Sequence, residues 1–123
     1  MRAIMYTRSR SGTGADASRQ LEQCRAFAVS RGWDVSEVFT DEDASAYTLD
    51  RPGLTQAMHL VRTRGCDVLV AQSADRLTRN ASDLASIIAD ADADAAGVIV
   101  VTADGIDTST EAGRMAARVV AGI

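Results

Sequence analysis

Lysine is absent from this sequence: all 13 basic residues are arginine, and 17 acidic residues give the chain a formal net charge of −4. That balance excludes a chain that coats nucleic acid through overall positive charge. An arginine-only set of basic residues, together with many Ala and Asp residues, is typical of a GC-rich coding sequence. Codon bias does not explain where the arginines fall, so their positions require a separate explanation.

Cysteines and long apolar runs are also scarce. The two cysteines, Cys24 and Cys66, lie far apart, and neither has neighbours at the spacing of metal ligands. We therefore expect neither a metal site nor a disulfide framework, and reduced thiols predict a cytoplasmic location. No stretch approaches the roughly 18 apolar residues of a membrane span, and the first apolar run is too short for a signal peptide. No membrane contact is expected.

What the sequence does contain is an alternation of strand-like and helix-like segments. Its 123 residues, 46% of them hydrophobic, are enough for one domain with a buried core. Short apolar runs predict strands at 2–7, 33–39, 66–72 and 97–103, and apolar residues at helical spacing predict a helix after each strand. The alternation predicts an α/β fold: a mostly parallel sheet of four or more strands flanked by helices.

The single proline locates the second of these helices. Pro52 fits the first helical turn, and Asp50 is a candidate cap for it. The helix is predicted to end at Gly65, since glycine is the usual residue beyond a helix end.

The last helix is predicted to begin near Thr110 or Glu111 and to reach the final residue without a stop signal. Its apolar residues, Met115 and Val119 among them, need a partner surface. We therefore expect residues 1–123 to form a single domain of a longer protein, with the C-terminal helix truncated at the chain end.

The chemically notable side chains follow the predicted strands. In open parallel sheets, ligands bind beyond the carboxyl ends of the strands. One set of residues follows strands 1, 2 and 3: Arg8, Arg10, Arg51, Asp75, Arg76 and Arg79. Guanidinium groups keep their charge and offer forked donors to phosphate oxygens. Preplaced arginines can stabilise the extra charge of a five-coordinate phosphorus without a metal, and a nearby serine can attack that phosphorus.

A dinucleotide site is the alternative interpretation. The stretch GTGADA, at 12–17, has the outline of a glycine-rich phosphate loop before a helix, and the acidic Asp41 follows the second strand. The spacing is poor, because RSRS separates the strand from the first glycine. A pyrophosphate also does not require the arginines that follow strand 3. A response-regulator-like module is disfavoured because no acidic cluster ends strand 1.

Five segments, in order along the chain, resemble the serine recombinases: resolvases, invertases and large phage-type integrases. YTRSRS resembles the family's opening Tyr-x-Arg-x-Ser motif, and SRQLEQCRAFAVSRGWDV is similar to its first helix and second strand. DEDASAYTLDRPGL resembles its serine-containing loop followed by Asp-Arg-Pro-Gly, and SADRLTRN closely resembles its Leu-Asp-Arg-Leu-x-Arg signature. GIDTSTEAGRM resembles the lead into its dimerisation helix. The resemblance covers the whole chain, as the N-terminal catalytic domain of that family.

This resemblance implies a site-specific DNA recombinase. Such enzymes cleave DNA through a serine that becomes joined to a 5′-phosphate, and they rejoin the strands without metal or nucleotide. The partners implied are DNA and a homodimer that assembles into a tetramer in the full-length protein. Four arginines match the family's phosphate-binding arginines: Arg8, Arg51, Arg76 and Arg79. Asp75 matches its acidic residue, and three further residues match supporting positions: Tyr6, Gln20 and Ser45. Arg10 is a further candidate for phosphate binding or support.

The sequence departs from the family at the nucleophile. Counting from Arg8, the family serine falls on Arg10, which is flanked by Ser9 and Ser11. A one-residue slip of the loop would present Ser11. A twisted strand end would present Ser9, although adjacent strand residues face opposite ways. Otherwise the nucleophile is missing, and the chain is a catalytically inactive homologue that acts as a DNA-associated or oligomerisation module.

Overall fold

The computed structural model describes residues 1–9, 15–42, 52–77, 81–91, 97–103 and 105–121. Strands and helices alternate along the chain, as predicted, and four strands belong to one sheet. The elements are β1 (Arg2–Ser9), α1 (Ala15–Ser30), β2 (Asp34–Glu42), α2 (Pro52–Arg62), β3 (Val68–Ala71), α3 (Ala74–Leu77), α4 (Ala81–Ala91), β4 (Ile99–Thr102) and α5 (Glu111–Ala121).

The sheet has the strand order β2-β1-β3-β4, and each neighbouring pair is parallel. The prediction of a mostly parallel sheet flanked by helices is therefore confirmed. The chain passes from β1 to β2 on one side of β1, and then from β3 to β4 on the other side of β1. The order thus reverses between β1 and β3, and at such a point the carboxyl ends of neighbouring strands leave a crevice.

Alternate residues of β1 enter two separate hydrophobic layers. Ile4 and Tyr6 belong to the larger layer, which includes buried residues of α2, α4 and α5. Ala3 and Met5 belong to the smaller layer on the other face, together with Cys24 of α1. All four of these β1 side chains are 0% exposed. Because side chains alternate along a strand, Arg8 shares the face of Tyr6, and Ser9 shares the face of Met5.

The second helix begins at Pro52, as the sequence predicted, but it ends at Arg62 rather than at Gly65. The chain leaves the helix through Arg64, whose φ of 57° is left-handed. The Gly65 amide then donates to the Leu60 carbonyl at 2.7 Å. The donor of this hydrogen bond lies beyond Arg62, the last residue of the helix. Gly65 therefore marks the end of the turn that follows α2 and not the end of α2 itself.

The segment after β3 differs from the prediction of a single helix, because a short α3 precedes α4. The last helix, α5, begins at Glu111, and the Thr110 hydroxyl caps it by accepting from the Gly113 amide at 2.9 Å. Met115 is 58% exposed and Val119 is 78% exposed, so the apolar face expected on this helix is open to solvent. Across the described ranges, no helix is long and apolar enough to span a bilayer.

Candidate active site

The carboxyl ends of β1 and β3 bring one group of the predicted site residues together. Arg8 is the next-to-last residue of β1, and Asp75 and Arg76 lie in α3, which follows β3 closely. The Arg8 side chain donates from Nη2 to the backbone carbonyl of Asp75 at 3.1 Å. Nη1 of Arg76 lies 3.5 Å from the carbonyl oxygen of Arg8, at the long end of hydrogen-bonding range. The two arginines therefore brace β1 and α3 against each other.

The two guanidinium groups differ in exposure. Arg8 is 0% exposed and is the largest fully buried side chain of the described residues, whereas Arg76 is only partly buried. A buried charge in a low-dielectric interior acts over a longer distance than one in water. The edge of the sheet therefore has one guanidinium that is enclosed by the fold, that of Arg8, and a second that solvent reaches, that of Arg76.

The turn that carries Asp75 and Arg76 is organised by Ser73. The Ser73 hydroxyl donates to the Asp75 carboxylate, and the Arg76 amide donates to the Ser73 carbonyl at 3.2 Å. Asp75 is thus held through its side chain by Ser73 and through its backbone carbonyl by Arg8. Sequence analysis missed Ser73. The signal for it was a serine directly before a predicted helical turn, where a hydroxyl commonly bonds to the turn.

The end of β1 is fixed from the opposite side by Gln20 of α1, which is 0% exposed. Its Oε1 accepts from the Arg8 amide at 3.1 Å, and its Nε2 donates to the Arg8 carbonyl at 2.8 Å. The Arg8 carbonyl thus lies within reach of both Gln20 and Arg76.

The structure describes Ser9 but not the residues that follow it. Ser9 is the last residue of β1 and is 0% exposed. It pairs in register with Glu42, and the pairing of β1 with β2 is uninterrupted from Ile4 to that point, beyond the register shift between Ala3 and Ile4. Ser9 and Arg8 therefore face opposite sides of the sheet.

Tyr6 and Asp41 form a second polar cluster beside Arg8. The Tyr6 hydroxyl donates to Asp41 Oδ2 at 2.8 Å. Asp41 is 7% exposed, and its carboxylate also accepts from the amides of Gly53 and Leu54. A dinucleotide site would need this carboxylate for a ribose, so its use inside the fold disfavours that interpretation. Asp50, the expected cap of α2, lies outside the described residues.

The predicted site divides into two groups. The structure brings six of the residues to the same sheet edge: Tyr6, Arg8, Ser9, Gln20, Asp75 and Arg76. Five others lie outside the described residues, and their arrangement stays a prediction: Arg10, Ser11, Ser45, Arg51 and Arg79.

Neither cysteine belongs to the group of residues at this edge. Cys24 and Cys66 are free and buried, and burial raises the pKa of each thiol to about 11. Both are therefore protonated at neutral pH and poor nucleophiles. In the part of the chain that the structure describes, no three His, Cys, Asp or Glu residues are grouped so as to hold a metal ion.

The arrangement suits a ligand with negatively charged oxygens. Two guanidinium groups and a turn rich in polar groups meet at the crevice between β1 and β3, where α/β sheets bind their ligands. Arginine is well matched to phosphate oxygens because its donors form a planar fork.

Comparisons of the sequence and of the fold with known proteins indicate the same family. The family model described as the resolvase N-terminal domain matches residues 3–123. The N-terminal catalytic domain of TP901-1 integrase has a similar structure, with a TM-score of 0.89 and 22% identity, over 99% of this chain and 93% of that one. A resolvase family site-specific recombinase from Streptococcus pneumoniae gives a TM-score of 0.78 and 22% identity, over 99% of this chain and 84% of that one.

A third solved structure is more similar in sequence. It is the C-terminal catalytic domain of ISC1926 TnpA, an IS607-like serine recombinase, with 30% identity and a TM-score of 0.72. The match covers 85% of this chain and 69% of that one. Taken with the family model, which extends over nearly every residue, this similarity shows that the chain belongs to the serine recombinases, as a resolvase-type catalytic domain.

Proposed function

We propose that this domain cleaves and rejoins DNA strands at a specific site through a covalent 5′-phosphoserine intermediate. The observation that carries the proposal is the mutual bracing of Arg8 and Arg76 at the carboxyl edge of β1 and β3. Under this proposal, a phosphodiester of DNA would enter at this edge, near the two permanent positive charges. The family membership supports DNA as the substrate.

In the proposed reaction, a serine oxygen forms a bond to phosphorus while the bond from phosphorus to the 3′-oxygen breaks. The serine hydroxyl gives up its proton, and the departing 3′-oxygen gains one. The non-bridging oxygens gain negative charge in the transition state, which Arg76, partly exposed, would stabilise by direct contact. Arg8 would act from its buried position, through its charge and by holding α3 in place.

Ser11 is the proposed nucleophile. Ser9 is fully buried and belongs to the sheet face opposite Arg8, so strand geometry turns its hydroxyl away from the guanidinium groups. Arg10 cannot replace a serine, because a guanidinium is not a nucleophile at neutral pH. Arg51 and Arg79 would complete the phosphate contacts, with Ser45 and Arg10 in supporting positions.

The test is to trap the covalent link. The chain, within its full-length parent, is incubated with its DNA site under conditions that accumulate cleaved product, and the DNA-linked peptide is mapped. We expect the link at Ser11, loss of the link in Ser11→Ala, and DNA affinity that changes less than about threefold. Ser9→Ala is the matched control and should retain cleavage.

Two results would reject parts of this proposal. A link that maps to Ser9 would show that the strand end twists when DNA binds. A parent protein that binds its site and never forms a link would support the inactive homologue, in which the domain contributes DNA association or assembly without chemistry.

A further inference from the structure

The connection between β3 and α3 is very short. β3 ends at Ala71 and α3 begins at Ala74, so only Gln72 and Ser73 carry the chain from the sheet into the helix. Ser73 directly precedes the first helical residue, a position at which a serine commonly supplies hydrogen bonds to the turn that follows. A connection of this length leaves the backbone little freedom, so the contacts of Ser73 influence how α3 leaves the sheet.

One side of α3 is anchored in the hydrophobic core. Ala74 is 8% exposed and Leu77 is 1% exposed, and both belong to the larger buried layer. They are three residues apart and therefore lie on the same side of the helical turn. Asp75 and Arg76 lie between them in sequence and are half-buried. A helix of this length is not stable by itself, so the side that carries the charged residues requires polar contacts.

Ser73 supplies two of these polar contacts. Its hydroxyl donates to Oδ1 of Asp75, and its carbonyl accepts from the Arg76 amide at 3.2 Å. The first bond has a carboxylate as its acceptor, and such a bond is stronger than one between neutral groups. The second closes a tight turn, in which an amide bonds to the carbonyl three residues earlier. Ser73 therefore fixes both the direction of the Asp75 carboxylate and the backbone that carries Arg76.

Asp75 and Arg76 are also joined to the end of β1. Arg8 donates from Nη2 to the Asp75 carbonyl at 3.1 Å, and Nη1 of Arg76 lies 3.5 Å from the Arg8 carbonyl oxygen. Arg8 is 0% exposed, so the surrounding fold restricts its movement. The contacts thus connect Ser73 to Asp75, Asp75 to Arg8, and Arg8 to Arg76. A shift of the turn at Ser73 would displace the Arg76 guanidinium relative to the edge of the sheet.

We propose that Ser73 is a positioning residue, which holds Asp75 through its hydroxyl and thereby keeps the Arg76 guanidinium at the carboxyl edge of β1 and β3. This inference rests on the proposed function, in which Arg76 contacts the phosphate in the transition state. The Ser73 hydroxyl does not react, since its proton is donated to the Asp75 carboxylate. Displacement of a catalytic contact by about 1 Å can slow a reaction about a hundredfold, so a contact that holds the turn affects the rate.

The first measurement requires no DNA. The NMR shift of the Asp75 carboxyl carbon and the amide hydrogen exchange of Arg76 are compared in the wild type, in Ser73→Ala and in Ser86→Ala. Ser86 is an exposed serine of α4 and is the matched control. In Ser73→Ala the carboxyl shift should move and exchange should accelerate about tenfold or more, whereas Ser86→Ala should change neither. A Ser73→Ala variant with the shift and the exchange rate of the wild type would overturn the proposal.

A second comparison asks whether the hydroxyl acts through Asp75. Amide exchange at Arg76 is measured in Asp75→Ala and in the double variant that also contains Ser73→Ala. Once the carboxylate is removed, the bond between these side chains cannot form, so the second substitution should accelerate exchange by less than about twofold. Effects that multiply in the double variant would show that the hydroxyl acts independently of Asp75, and they would overturn the proposal.

The rate of covalent-link formation tests the effect on the reaction, in the full-length parent with its DNA site. We expect Ser73→Ala to slow link formation about tenfold or more, while DNA affinity changes less than about threefold. Ser73→Thr keeps the hydroxyl and should restore the rate to within about threefold of the wild type, and Ser86→Ala should leave it unchanged. A Ser73→Ala variant as fast as the wild type, or a Ser73→Thr variant as slow as Ser73→Ala, would overturn the proposal.

Ser73→Cys replaces Ser73→Ala if the alanine variant does not fold, because a thiol is a weak donor of similar shape. It should form the link more slowly than Ser73→Thr, and equal rates would contradict the positioning role. A DNA-linked peptide that maps to Ser73 would also overturn the proposal, since the hydroxyl would then be the reacting group. If the wild type forms no link, the proposed function fails and the role of Ser73 in the reaction fails with it. The NMR comparison then still decides whether Ser73 holds Asp75.

Discussion

The side-chain amide of Gln20 pairs with both backbone groups of Arg8, accepting from its N–H at 3.1 Å and donating to its carbonyl at 2.8 Å. An amide side chain used in this way imitates a neighbouring strand. It attaches the first half of α1 to the end of β1, next to the point where the chain enters the proposed nucleophile loop. Gln20 is 0% exposed, so water cannot replace it.

Replacing Gln20 with Ala should therefore lower the free energy of unfolding more than most substitutions of polar residues do. It leaves the buried Arg8 amide without its acceptor, which costs about 1–3 kcal/mol of unfolding free energy. Urea denaturation measures the change. Gln56→Ala, at an exposed glutamine of α2, is the control and should change stability by less than about 0.5 kcal/mol. Equal effects of the two substitutions would show that the Gln20 bonds contribute nothing.

A charge pair at the base of α5 predicts a pH dependence. Burial favours the neutral form of Asp107, but hydrogen bonds from the Ser109 side chain and backbone and from Arg31 outweigh it and lower the pKa. Arg31 lies 3.4 Å from Asp107 Oδ2, and its guanidinium lies over the Phe27 ring at 4.8 Å. Because the pKa is lower in the folded chain than in the unfolded one, ionised Asp107 stabilises the fold above the ordinary carboxylate range. That contribution is lost as the pH falls through the lowered value.

Asp107→Asn should accordingly cost roughly 1 kcal/mol at neutral pH, and the difference from the wild type should shrink as the pH falls below about 4. Unfolding by urea at a series of pH values measures it. Asp34→Asn, at an exposed carboxylate, serves as control. A difference that stays constant into strong acid would contradict the assignment.

Gly113 sets how closely α5 approaches the loop before it. A Cβ at this position would overlap the backbone carbonyl group of Asp107. Gly113→Ala should therefore force the first turn of α5 away from that loop and cost about 1–3 kcal/mol or more, as measured by thermal or urea unfolding. The exposed Glu111→Ala on the same turn should have a much smaller effect. A Gly113→Ala variant as stable as the wild type would show that the loop yields without cost.

The exposed apolar face of α5 predicts weak self-association of the chain. Val119 is 78% exposed and Met115 is 58% exposed, one helical turn apart. A second copy that covers this face would bury both. Val119→Glu should then shift the sedimentation profile toward monomer at high protein concentration. Val29→Glu, at a valine of α1 that is 75% exposed, is the matched control and should not. Identical profiles for both variants would place any association elsewhere.

Sequence patterns predicted the fold because local and global signals agree. Alternating apolar runs identified all four strands, and Pro52 marked the first residue of α2. The boundaries were less accurate. β1 extends to Ser9 rather than ending at residue 7, because Arg8 and Ser9 pair with β2 although both are polar. Polarity alone does not end a strand when the tertiary structure supplies partners.

The sequence by itself also predicted part of the candidate site, since strand ends are visible as ends of apolar runs. Arg8, Asp75 and Arg76 were placed at one edge on that basis. Only the tertiary structure decided their different environments: Arg8 fully buried beneath α3, Arg76 partly exposed, and Ser9 enclosed within the sheet.

The cap formed by Asp41 on α2 shows the physical reason for this division. Sequence analysis assigned the capping role to Asp50, because helix caps are usually local. Asp50 lies outside the described residues, and the structure joins Asp41 to Gly53 and Leu54, so this acceptor and its donors come from different elements. The spacing of apolar residues shows which face of a segment is buried, and that spacing depends only on the sequence of the segment itself. Which polar groups meet depends on the register of β1 with β2 and on the packing of α2, and these are decided only when the chain is folded.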